Sequence, residues 1–153
     1  MSPKHPRTLL IVLMLCGGPI LLAIDLLAQR MILSGQPEDL RELVGGYATR
    51  FAWGVVPLPV IGGVIGFFLY PRVVKKQLAR RTSTTPLEQA ERNADMIALM
   101  LCASIPQLPA LLGDISVMMG ASLTPVMCST SLSMIAVLSI ALLGPKRVEK
   151  PVE

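Results

Sequence analysis

The chain has 153 residues, 52% of them hydrophobic and only 16% charged, with a formal net charge of +4 and a mean hydropathy of +0.62. So apolar a composition excludes an ordinary soluble domain and implies an integral membrane protein. The length accommodates four spans of about 20 residues with short connections, and no separate soluble domain beside them.

Four apolar stretches reach spanning length: Thr8 to Ala28, Phe51 to Tyr70, Met96 to Met119 and Ala121 to Gly144. They are about twice as long as a barrel strand requires and lack strict alternation, so they predict helices. The expected fold is all-α: a polytopic membrane protein with four transmembrane helices in one domain over 1–153. The first stretch follows the basic start "MSPKHPR" and could be a signal peptide. Its apolar run is longer than a signal core, and "LLAIDLLAQ" offers no small-x-small cleavage site, so a retained span is expected.

Between spans one and two lies an external connection over 29–50. Its "GQPEDLRELVGG" predicts a short helix with acids in the first turn, Leu40, Leu43 and Val44 on one face, and glycines at its end. Such a helix would lie along the membrane surface. In span two, "GGVIG" sets Gly62 and Gly66 in GxxxG spacing, the pattern that permits close helix approach, and makes them the candidate packing face. Trp53 and Tyr70 fall near the two ends of that span, where amphipathic aromatics favour the interfaces.

A basic helical hairpin over 71–95 follows. "RVVKKQLARR" reads as a helix, and "TTPLEQAERNAD" as the start of the next, with Thr85 as cap, Pro86 in the first turn and Glu88 completing a capping box. Lys75, Lys76, Arg80 and Arg81 are the candidate contacts to anionic lipid headgroups or to an acidic partner. Nucleic acid is not expected, because the membrane orientation already accounts for a pI near 9.3.

Span three carries "SIPQLPALLGD", in which two prolines, a glutamine and an aspartate stand where hydrocarbon penalises them. Each proline frees a backbone carbonyl, and Gln107 is the local candidate to satisfy one. Gln107 is also expected to bond across the bundle to the span-four hydroxyls Thr124, Ser129, Thr130, Ser131 and Ser133. At about 1.5 Å per residue, Asp25 and Asp114 each lie roughly 25 Å or more from the inner starts of their spans. Both are thus expected near the outer interface, as hydrated ends paired with Arg30 or Arg50, or as a functional carboxylate pair. Gln107, Asp114 and Asp25 are the candidate intramembrane polar residues.

Lysine and arginine set the threading. Eleven lie at the amino terminus, the second connection and the tail, against Arg30, Arg41 and Arg50 on the other side. The positive-inside rule therefore predicts both termini in the cytoplasm; the expected location is the plasma (inner) membrane.

"LMLCGGPILLAID" in span one parallels "LMLCASIPQLPALLGD" in span three, and "YPRVVKK" after span two parallels "GPKRVEK" after span four. Leucine-rich segments also match by chance; a true repeat would make two tandem parallel helical hairpins. "QLPALLGDISVMMG" resembles the outer helix of the c-type proteolipids of rotary ATPases, where an ion-binding carboxylate is followed by proline, small residues and glycine. That resemblance implies an ion-binding hairpin. Gln107 stands at the carboxylate position and exchanges no proton, so no site is carried over from it.

Catalytic signatures do not occur. The single histidine is His5, the cysteines Cys16, Cys102 and Cys128 lack CxxC spacing, and neither a phosphate loop nor a nucleophile elbow is found. No enzymatic activity and no cofactor are expected. The sequence favours a non-catalytic structural or accessory subunit of a membrane complex, in contact with other membrane subunits. The alternative is a small homo-oligomeric ion or solute transporter or channel.

Overall fold

The computed structural model describes residues 6–35, 37–80 and 86–143. Five helices follow one another: α1 (Pro6–Leu33), α2 (Glu38–Val55), α3 (Leu58–Ala79), α4 (Leu87–Met118) and α5 (Leu123–Leu143). The chain is all-helical, and four helical stretches are long and apolar enough to cross a membrane, with α2 and α3 together forming one of them.

The glycines of the first connection do not end a helix. α2 passes through Gly45 and Gly46 and continues to Val55, so the stretch expected as a loop with a short surface helix is helical from Glu38 onward. Its buried stripe is Gly45, Ala48, Ala52 and Val55, whereas Leu40 and Leu43 are exposed. The reason is steric. A Cβ added at Gly45 would lie 2.7 Å from the carbonyl oxygen of Gly120, so only a small-residue face can sit this close to the α4–α5 turn.

The division between α2 and α3 falls at Val56 and Pro57, inside the expected second span. Pro57 and Pro59 supply no backbone donors, yet Val56 and Pro57 both keep right-handed helical dihedrals. The Val56 N–H reaches the Trp53 carbonyl at 3.3 Å.

α4 ends in a turn built on Gly120, whose φ is 90°. The N–H of Ala121 bonds the Ser116 carbonyl at 3.1 Å, and that of Gly120 bonds Val117 at 2.9 Å, the pattern of a helix closed by a left-handed glycine. The Ser122 N–H donates to the Thr49 hydroxyl at 2.9 Å, tying α2 to this turn. At its other end α4 starts at Leu87 after Pro86, without a side-chain cap; Thr85 lies outside the described residues.

The core sits among α3, α4 and α5. Two backbone features make the α3–α4 contact close. Pro106 and Pro109 remove the usual helical donors to the carbonyls of Cys102 and Ile105, and these two carbonyls face α3. A Cβ on Gly66 would lie 2.6 Å from the Cys102 oxygen, and one on Gly62 would lie 3.2 Å from that of Ile105. Carbonyls deprived of N–H donors thus meet glycine Cα groups, which are suited to weak C–H···O contacts. On the same helix, a Cβ on Gly63 would come within 2.6 Å of the Ala136 side chain on α5.

α1 lies against α4 and α5, and no residue of its apolar window is buried. The matching positions of the two similar segments therefore have different surroundings. Cys16 is exposed where Cys102 is buried, and Asp25 is half-buried where Asp114 is 2% exposed.

Candidate functional site

Two polar clusters lie near opposite ends of the bundle. At the end away from Gly120, the Tyr70 hydroxyl donates to Asp95. The same carboxylate pairs with Arg7 at 3.5 Å, and Arg7 donates to the Ala141 carbonyl at 2.9 Å, in the last turn of α5, where a cation also meets the negative end of the helix dipole. One residue from each of α1, α3, α4 and α5 is joined there. Tyr70 is 1% exposed, so it belongs to the core and not to the interfacial belt expected for it. Burial of its ring is compatible with a phenol only because Asp95 accepts the hydroxyl proton. Trp53, by contrast, is 51% exposed.

The second cluster lines a cavity of about 260 Å3 between α1, α4 and α5. Gln107 and Asp114 stand two turns apart on α4 and so share a face; both line the cavity, with Thr130 and Ser133 from α5. The α1 wall contains Gly17 and Gly18. A Cβ on Gly18 would come within 3.0 Å of the Thr130 methyl, whereas one on Gly17 would meet nothing within 4 Å. Met14, Leu21 and Met134 supply apolar walls. The cavity is partly open.

Asp114 is the dominant group. The Thr130 hydroxyl donates to its Oδ1 at 3.5 Å, and Oδ2 has no partner among the described residues. The nearby Ser129 Oγ is likewise buried without a partner. This overturns the expectation of a hydrated Asp114 at a helix end: α1 and α5 flank its face, and α2 covers the turn beyond it. Neither Asp25 nor Asp114 pairs with Arg30 or Arg50 among the described residues, where the ion pair found is Arg7 with Asp95. Arg50 instead stacks over the Tyr47 ring at 5.8 Å.

Gln107 satisfies no carbonyl of its own helix. Its amide donates across the bundle to the Met14 carbonyl of α1 at 3.1 Å, because the carbonyls freed by the two prolines face α3 on another side of α4. Of the α5 hydroxyls, Ser129, Thr130 and Ser133 are buried and Thr124 and Ser131 are exposed. Gly62 and Gly66 are buried against α4. Lys75, Lys76 and Arg80 are exposed at the end of α3; Arg81 lies outside the described residues. No group of three or more metal-ligating side chains occurs among the described residues. The sequence reading names Tyr70 only as an interfacial aromatic and does not join it to Asp95 and Arg7, although an aspartate one residue before an apolar run and a tyrosine ending another are signals of such a pair.

Comparison of the chain with protein-family models, with curated proteins and with solved structures finds no match.

Proposed function

We propose that this chain is an integral protein of the plasma (inner) membrane, with both termini in the cytoplasm, and that it works as a small homo-oligomeric transporter or channel for an ion or solute. Orientation rests on the excess of lysine and arginine at the amino terminus, the second connection and the tail. On this reading Lys75, Lys76 and Arg80 lie against anionic headgroups. The observation that carries the function is Asp114, a carboxylate buried at a cavity wall with one oxygen unpartnered. An ionisable group inside a membrane bundle is expensive, and such groups mark substrate or ion paths. The sequence alone favours an accessory subunit. One observation still supports that second reading: the apolar face of α1 turned away from α4 and α5, where Leu9, Leu13, Ile20, Ile24 and Leu27 are exposed, is open to another subunit or to lipid.

Two measurements separate the readings. Native mass spectrometry of the protein extracted in mild detergent should show a homo-oligomer without stoichiometric partners. In proteoliposomes, Gln107→Leu should abolish flux while the fold is kept. Co-purifying subunits, or a Gln107→Leu variant that changes assembly or nothing at all, would favour the accessory role.

A further inference from the structure

The chemistry of the α1–α4–α5 cavity narrows what it can hold. Its polar lining is Asp114, Gln107, Thr130 and Ser133, which is rich in acceptor oxygens: the carboxylate, whose buried Oδ2 has no partner among the described residues, the Gln107 carbonyl oxygen, left over after its amide donates to Met14, and two hydroxyl oxygens. No lysine, arginine or histidine among the described residues lines it. The ligand must therefore bring positive charge and hydrogen-bond donors.

Three kinds of cation can be compared. A bare inorganic ion wants about six oxygens converging within bonding distance. Here Gln107 and Asp114 are separated by roughly 10 Å along α4, and the intervening walls are apolar. A quaternary ammonium has no N–H to give the orphaned carboxylate oxygen, and such ligands are held by aromatic faces; no aromatic residue lines this cavity. A protonated amine on an aliphatic chain meets both requirements.

We propose that the cavity between α1, α4 and α5 binds a protonated aliphatic amine, its ammonium group on the Asp114 carboxylate and its hydrocarbon chain along Met14, Leu21 and Met134. This deepens the transport reading by naming a substrate class. Thr130 already donates to Oδ1, which leaves Oδ2 as the carboxylate oxygen without a partner among the described residues. Gly17 leaves the space into which the chain extends.

The test is calorimetric titration of n-butylammonium chloride into the full chain in phosphatidylcholine nanodiscs at neutral pH. Saturable one-site binding is expected, weakened at least about tenfold by Asp114→Asn, because one partner of a buried charge pair is lost. Gly17→Leu should also abolish binding, by filling the cavity without touching the carboxylate; it provides the answer if Asp114→Asn does not fold. Tetraethylammonium and sodium should fail to compete. Absence of saturable binding, binding unchanged in the folded variants, or displacement by sodium or tetraethylammonium would each overturn the proposal. Flux of labelled butylamine in proteoliposomes separates the two claims: binding without flux keeps this site and removes the transport reading, while Gln107-dependent flux of another solute without amine binding does the reverse.

Discussion

Gly66 on α3 lies against the carbonyl oxygen of Cys102 on α4, so closely that a Cβ at Gly66 would stand 2.6 Å from it. That carbonyl lacks its helical donor because Pro106 follows four residues later. The proline of one helix and the glycine of another are thus parts of a single contact. Gly66→Ala should cost about 2 to 4 kcal/mol of stability, since the obstructing atom is backbone and cannot turn aside. Gly46→Ala, where a Cβ meets nothing within 4 Å, should be close to neutral. Unfolding titrations in mixed micelles would check the contrast, and equal effects would dismiss the fit.

Removing the charge of Asp114 should make the protein more stable. A buried carboxylate with an unpartnered oxygen is costly, and Asn at the same position keeps the shape while shedding the charge. Asp114→Asn is expected to raise the thermal midpoint measured in detergent and to impair solute binding. A lowered midpoint would mean that the carboxylate is structural.

The Tyr70, Asp95 and Arg7 cluster should behave as a network. Tyr70→Phe leaves one Asp95 oxygen without its donor and should destabilise by about 1 to 3 kcal/mol. The Arg7 pair, whose two side chains are 35% and 31% exposed, should contribute less, about 0 to 1 kcal/mol. A double-mutant cycle over Tyr70→Phe and Asp95→Ala should show positive coupling; additive losses would argue against a shared bond.

At the opposite end, Gly120→Ala should cost about 1 to 2 kcal/mol, since its φ of 90° is strained for an L side chain. Gly45→Ala should cost at least as much, because its Cβ would meet the Gly120 oxygen at 2.7 Å. Thermal melts of the two variants would compare them.

The proposed threading is open to direct labelling. With the start of α2 outside and the end of α3 in the cytoplasm, Glu38→Cys should react with an impermeant maleimide in intact cells, and Lys76→Cys only after permeabilisation. The reverse pattern would invert the orientation.

The sequence by itself determined the all-helical class and the four spanning stretches, since both depend on composition and run length and need no knowledge of partners. It also marked Gly62 and Gly66 as small residues at contact spacing. Where α2 would end was not legible. Glycine reads as a stop in isolation, but here Gly45 continues the helix because the α4–α5 turn demands a residue without a side chain. The tertiary structure alone decided what Asp114, Tyr70 and Gln107 face. Helix periodicity fixes which residues share a side of one helix, but burial depends on which other helices close over that side. Position along a span placed Asp114 near an end and Tyr70 at an interface; the packing of α1, α2 and α5 enclosed the first, and Asp95 drew the second into the core.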